Sequence, residues 1–172
     1  MELSCSVLME QREENAAEGL PQTAEEVVRA YADTVYALAL SQLRSRTDAD
    51  DVFQEVFLAY VRRKPEFESQ EHQKAWFLRV TLNCCKRLWR FRKRRKTEPL
   101  EEAVSLETPA ETELLLELGR LPEKYRVPLH LFYFEDMTTE EIARVVEASP
   151  GAVRTRLSRG RELLKKRLRD DF

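Results

Sequence analysis

The sequence predicts an all-α chain, built as two small helical domains joined by a flexible linker. Three observations carry that expectation. Apolar residues recur at spacings of three and four along most of the chain, which is the period of one helix face. Thr23 with Glu26, and Thr138 with Glu141, are capping boxes, in which two side chains satisfy the orphan N–H groups of a helix start. Only four glycines occur in 172 residues, Gly19, Gly119, Gly151 and Gly160, too few for a turn-rich β sandwich or a Gly-rich phosphate loop. The chain is 42% hydrophobic and 35% charged, enough for a packed core but a lean one, expected in small pieces.

The elements follow in order. Residues 1–22 are an acidic leader, expected to fray. The box at Thr23 opens a first helix whose apolar positions are Val28, Tyr31, Val35 and Leu38. Thr47-Asp-Ala-Asp opens a second, with acids where the helix dipole favours them. Its apolar stripe is Val52, Phe53, Val56, Phe57 and Tyr60, and Pro65 ends it. Residues 66–72 read as a loop. A third helix carries Ala75, Leu78, Leu82, Cys85 and Trp89 and runs into a basic block, closing a domain over 23–96. Residues 97–113 hold two prolines and many acids with no sustained period, and read as the linker.

The second domain, 114–172, starts with a helical unit at Leu114 to Leu121. Pro122 suits the first turn of the next helix, and Pro128 is expected to kink that helix or shift its start. Residues 138–168 carry the sharpest local signal. Ile142, Ala143, Val145 and Val146 make a short apolar helix, and Glu147-Ala148 is a tight connection. Ser149 is an N-cap with Pro150 at the first helical position, where a missing N–H costs nothing. The last helix buries Val153, Leu157, Leu164 and Leu168, while Arg154, Thr155, Ser158, Arg159 and Arg161 share its other face. This is a helix-turn-helix with a basic second helix, the arrangement that places a helix N-terminus in the major groove.

Charge is segregated although the formal net charge is only −2. Residues 1–28 hold seven acids and one Arg, whereas 86–96 hold eight positive charges and no acid. Residues 98–117 hold seven glutamates and no positive charge, and 144–169 hold nine positive charges against two acids. Two separate basic surfaces on a near-neutral chain point to nucleic acid. The second helix is the exception, because Asp48, Asp51, Gln54 and Glu55 share one face at helical spacing. An acidic face repels phosphates, so it is either an ordinary solvated helix face or a surface for a basic protein partner.

Other chemistry is not encoded. Three cysteines, with no CxxC pair, make no disulfide framework and fit a reducing compartment. Two histidines are too few for a His-based zinc site, and no carboxylate pair or nucleophile–base pair has a spacing that suggests catalysis. No enzyme activity, metal or cofactor is expected. No apolar run is long enough to span a bilayer, and the first residues lack the positive flank of a signal peptide, so a cytoplasmic chain without membrane insertion is expected. Cys84-Cys85, Trp76, His130, Tyr125, Phe132, Tyr133 and Phe134 read as core residues. Trp89 stays open between core packing and stacking on bases.

Both halves resemble one family. Leu121-Pro-Glu-Lys-Tyr-Arg, Glu140-Glu-Ile-Ala and Gly151-Ala-Val-Arg-Thr-Arg-Leu-Ser-Arg-Gly-Arg resemble the fourth conserved region of bacterial sigma factors. Asp48-Ala-Asp-Asp-Val-Phe-Gln-Glu-Val-Phe and Trp76-Phe-Leu-Arg-Val-Thr-Leu-Asn83 resemble their second region. The two regions in this order, with little between them, are similar to the extracytoplasmic-function (ECF) group, over roughly residues 23–168. The resemblance implies a transcription initiation factor that binds core RNA polymerase, recognises −35 and −10 promoter DNA and promotes strand opening. By position it implies that Gly151, Ala152, Arg154, Thr155, Ser158 and Arg159 face the −35 element. Asn83, Lys86, Arg87 and Arg90, with the loop 66–72, would meet the −10 strand. Asp48, Asp51, Gln54 and Glu55 would bind the polymerase. An anti-sigma factor is a further partner that the resemblance admits and no residue here specifies; no small-molecule substrate is implied.

The chain departs from the family pattern at Ala152, where a Thr is common, at Leu82 and Arg87 around Asn83, and at Pro128. Two other readings compete. A stand-alone helix-turn-helix regulator would account for residues 138–168 but not for the second basic helix or the acidic face. A nuclease or recombinase would need metal-binding carboxylates or a nucleophile, for which no motif is present.

Overall fold

The computed structural model describes residues 19–95 and 114–170, apart from Gln22 and Leu116. Residues 1–18 of the leader and the linker over 97–113 lie outside the described residues. Six helices follow one another: α1 Ala24–Leu43, α2 Arg46–Arg63, α3 Gln70–Arg95, α4 Glu123–Tyr133, α5 Thr139–Val146 and α6 Pro150–Asp170. Residues 117–119 form a further turn of helix ahead of α4. No strand occurs among the described residues.

Capping chemistry sets most helix starts. In α1 the Thr23 N–H donates to Glu26 Oε2 at 3.1 Å and the Glu26 N–H donates to Thr23 Oγ1 at 3.2 Å. The same box at Thr138 and Glu141 opens α5. Ser45, not Thr47, caps α2, because its Oγ accepts the Asp48 N–H, so the helix begins two residues before the acids suggest. Ser69 accepts the His72 N–H at 3.1 Å and starts α3 at Gln70, which shortens the expected loop. Helix ends show the cost of scarce glycine. Arg44, Lys64 and Glu147 close α1, α2 and α5 at φ of 55°, 44° and 54°, a left-handed conformation that disfavours a Cβ.

The core falls into two clusters. The first joins α1, α2 and α3 through Val27, Tyr31, Val35, Ala49, Val52, Val56, Phe57 and Phe77. Tyr31 stacks on Phe77 with centroids 4.7 Å apart, and Phe53, Tyr60 and Trp76 pack at its edge. The α1 stripe therefore runs from Val27; Val28 is exposed, one residue out of phase. The second cluster surrounds Leu118, Leu121, Leu129, Leu131, Ile142, Val153 and Leu157. It also takes in Leu38, Leu78 and Leu82 from α1 and α3, so the halves share apolar surface. That sharing explains why Ser41 and Gln42, polar residues at the end of α1, are buried.

Pro128 sits inside α4, which continues to Tyr133 around it. The missing N–H at 128 leaves the Lys124 carbonyl without its helical donor. Pro122 is the N-cap of that helix, one position before the expected first turn. Gly160 marks the crossing of α6 over α4. A Cβ placed there would lie 2.8 Å from Leu129 Cδ1 and 3.3 Å from Tyr125 Cβ, so the helices approach this closely without displacing Leu129 because the residue is glycine.

Candidate nucleic-acid interface

The helix-turn-helix forms as its sequence dictates. After the left-handed Glu147, Ser149 Oγ accepts the Ala152 N–H at 3.1 Å and starts α6 at Pro150. Val153 and Leu157 are buried and fix the rotation of the helix. That rotation leaves Gly151, Arg154, Thr155, Ser158 and Arg159 exposed, with Ala152 half-buried. The Arg154 guanidinium stands 3.8 Å from the Glu140 carboxylate, an exposed pair that water and salt loosen easily. Thr155 Oγ1 donates to the Gly151 carbonyl at 3.1 Å, so its hydroxyl turns back on the helix. A would-be Cβ at Gly151 meets Arg154 Nη2 and Ser149 Oγ no nearer than 4.0 Å, which leaves the helix N-terminus open to a phosphate. Lys124 and Arg159 beside the Tyr125 hydroxyl pull its pKa below the usual tyrosine value.

Tyr133, read from the sequence as core, is 50% exposed. Its hydroxyl accepts from Arg161 Nε at 2.8 Å, and the guanidinium lies over the Phe132 ring, 5.1 Å from its centroid. Arg161 is thus held by aromatics rather than free on the basic face. His130 is fully buried and stacks on Phe134, and burial pushes its pKa down to about 3.

The basic end of α3 presents Lys86, Arg87 and Arg90 to solvent, with Asn83 exposed one turn earlier. Asn83 and Lys86 line a cavity of about 360 Å³ together with Arg79, Lys124 and Arg156. Trp89 is 41% exposed, and its indole N–H donates to the Gln42 carbonyl at 3.3 Å. Phe91 lies open beneath the Arg95 guanidinium, 4.4 Å from its centroid. The loop ahead of α3 is pinned by Phe67, whose ring meets His72 and Trp76 edge-on. Burial pushes the Cys84 and Cys85 thiols up, which keeps them protonated and unreactive.

The acidic face of α2 divides into two kinds of carboxylate. Asp51 and Gln54 are exposed beside Leu58, itself 50% exposed. Asp48 is 5% exposed and ion-paired with Arg92, which turns it inward, away from that face. Glu55 is half-buried and pairs with Arg87. The acids of α2 and the cations of α3 therefore meet along one edge, a link that sequence spacing within either helix does not reveal.

The family model of sigma-70 region 2 matches residues 27–95, and that of sigma-70 region 4 matches residues 111–164. The chain belongs to the ECF group of sigma-70 factors. Among its relatives, the ECF RNA polymerase sigma factor SigW of Bacillus subtilis is 28% identical over 167 residues, covering 84% of this chain and 88% of SigW. The ECF RNA polymerase sigma factor SigE of Mycolicibacterium smegmatis is 30% identical over 155 residues, covering 82% of this chain and 60% of SigE. CnrH, solved in complex with the cytosolic domain of CnrY, superposes with a TM-score of 0.68 at 27% identity, covering 92% of this chain and 95% of CnrH. The sigma factor RpoE, solved with the anti-sigma factor NepR from Bartonella quintana, matches in fold with a TM-score of 0.75 at 19% identity, covering 86% of this chain and 98% of RpoE. In this ECF factor the first three helices are region 2, and α4 to α6 with the turn before them are region 4. Among the described residues no helix is long and apolar enough to cross a membrane.

Proposed function

We propose that this ECF factor directs core RNA polymerase to promoters in the cytoplasm, acting as a specificity subunit without catalytic chemistry of its own. The observation that carries the reading is the pairing, in one chain, of an exposed basic recognition helix with a second basic helix flanked by an acidic face. Arg154 and Arg159 read bases of the −35 element, because a guanidinium can pair bidentately with guanine. Gly151, Ala152, Thr155 and Ser158 seat the helix against the backbone and base edges. Asn83, Lys86, Arg87 and Arg90 hold the −10 strand, where an amide captures an unstacked base and the cations hold phosphates. Asp51, Gln54 and Glu55, with Leu58 beside them, dock on a basic polymerase surface, and Asp48 braces that helix through Arg92. Residues 23–96 and 114–172 serve as the two promoter-reading units and 97–113 as their connection. An anti-sigma protein is a further proposed partner of the folded chain; RpoE, which shares its fold, was solved with the anti-sigma factor NepR.

In vitro transcription on genomic promoter fragments tests this reading. Core polymerase alone is expected to start nowhere specifically, and core with this chain at discrete promoters. Tight duplex binding by the chain with no effect on initiation would replace the reading with that of a stand-alone regulator.

A further inference from the structure

The cavity of about 360 Å³ lined by α3, α4, α5 and α6 carries positive charge that no carboxylate answers. Its cations are Arg79, Lys86, Lys124 and Arg156, and its acids are Glu123 and Glu147. Lys86 pairs with Glu123 at 3.4 Å. Arg79 donates instead to the neutral Arg144 carbonyl at 2.8 Å, and Lys124 lies over the Tyr125 ring, 4.9 Å from its centroid. Arg156 is half-buried and has no acid partner among the described residues. It also belongs to neither set of residues assigned to promoter DNA. A half-buried guanidinium without a counter-ion costs solvation, which an anion in the cavity would offset. The rest of the lining is largely apolar, with Leu82, Val127 and Val145 buried. Lys124 and Pro128 line the cavity as well, and the Lys124 carbonyl is the one that Pro128 leaves without its helical donor.

We propose that this cavity binds a nucleoside monophosphate, with Arg79, Lys124 and Arg156 on the phosphate and the base against the apolar lining. Four cations against two acids leave an excess of two positive charges. A phosphate monoester carries about −1.5 to −2 at neutral pH and balances that excess, whereas a triphosphate overshoots it. The guanidinium fork matches phosphate oxygens bidentately. A flat base covers Leu82, Val127 and Val145 with its ring, and an N–H on its edge can donate to the Lys124 carbonyl. A sugar phosphate would instead press hydroxyls onto the same apolar residues, where they find no partner. The volume lies at the lower end of the ~300–1,000 Å³ range of small-molecule sites. Asn83 and Lys86 belong both to this lining and to the surface proposed for the −10 strand. A bound nucleotide therefore competes with −10 DNA, which makes the site regulatory. That consequence, unlike the site itself, rests on the promoter-reading assignment above.

Isothermal titration calorimetry of the full-length chain in phosphate-free buffer tests the site. The probes are AMP, GMP, CMP and UMP, with the matching nucleosides and inorganic phosphate as their separate parts. At least one nucleotide is expected to bind with Kd below ~1 mM, and its nucleoside and phosphate each ~10-fold or more weakly. Arg156→Gln is expected to weaken that nucleotide ~10-fold or more, the range of a lost charge-assisted hydrogen bond. Lys124→Gln, at an exposed residue, is expected to act likewise and carries the test if Arg156→Gln lowers the thermal midpoint. Arg29→Gln removes one charge outside the cavity and is expected to keep the wild-type affinity. No binding by any of the four at ~1 mM would overturn the site. So would an affinity that survives both cavity variants or falls equally in Arg29→Gln. Inorganic phosphate binding as tightly as the nucleotide would overturn the nucleotide assignment. With the nucleotide bound, anisotropy is expected to show a several-fold loss of affinity for a labelled −10 single strand. Unchanged DNA affinity beside intact calorimetric binding would overturn the −10 role of Asn83 and Lys86 and leave the site standing.

Discussion

Glu55, on the acidic face of α2, is ion-paired with Arg87, on the basic end of α3. The acidic side chain proposed for polymerase and the basic one proposed for DNA thus neutralise each other in the free chain. With those proposed roles, a polymerase cation that engaged Glu55 would release Arg87 to a phosphate, and by linkage the reverse would hold. Glu55→Gln is expected to raise the free chain's affinity for −10 single-stranded DNA by ~2- to 5-fold, the range of an exposed pair worth up to about 1 kcal/mol. Asp51→Asn removes the same charge from an exposed residue and controls for net charge. Equal gains from both variants in fluorescence anisotropy would reduce the pair to general electrostatics.

The crossing at Gly160 gives a stability prediction that runs against helix propensity. Alanine is ~1 kcal/mol better than glycine inside a helix. At position 160, however, its methyl would lie 2.8 Å from Leu129 Cδ1 and 3.3 Å from the Tyr125 Cβ. Overpacking of this kind costs about 1–3 kcal/mol. Gly160→Ala is expected to lower the thermal midpoint measured by circular dichroism; a raised midpoint would show that Leu129 yields without cost.

His130 gives a pH prediction. It is fully buried, and burial lowers its pKa from 6.5 to about 3. Its two ring nitrogens have no hydrogen-bond partner among the described residues. The folded pKa lies below the unfolded one, so between them the unfolded chain binds the extra proton. The neutral form is therefore fully compatible with folding above about pH 6.5, and stability is lost as pH falls toward 3, on the order of 1 kcal/mol per pH unit. His130→Leu removes the group and is expected to flatten this acid limb in urea unfolding. A variant that keeps the wild-type slope over that window would assign the acid sensitivity to other groups.

How much was legible in the sequence depended on whether a signal was local. The capping boxes at Thr23 and Thr138, the Ser149-Pro150 start and the polar face of α6 are local, and they read correctly because each rests on neighbours three or four residues away. Val28 for Val27 was a one-residue error of phase, made where two adjacent valines fit the same period. Tyr133 and Phe134 are adjacent too, and only packing against α6 decides that Tyr133 faces out. The Lys74–Glu135 contact was invisible, since the two residues are 61 apart and each is an ordinary charged residue in its own segment. Asp48 failed for the same reason: its face was judged from spacing within α2, while its burial comes from Arg92, 44 residues on.

The recognition helix allows the two components of DNA binding to be separated. Arg154 is exposed near the start of α6, in a loose 3.8 Å pair with Glu140, and can reach a base edge. Lys165 and Lys166 are exposed about three turns further along, where a helix entering the groove N-terminus first has already left the bases. Arg154→Ala is expected to cost about 1–3 kcal/mol at the preferred −35 sequence and to relax preference at one base pair. Lys165→Ala and Lys166→Ala are expected to weaken all sequences alike and to reduce the dependence of log affinity on log salt by about one unit each. The measurement is holoenzyme binding to a library of −35 variants at several salt concentrations. If Arg154→Ala lowers affinity uniformly and leaves base preference intact, Arg154 is a phosphate contact and base reading passes to Arg159, the next arginine along that face.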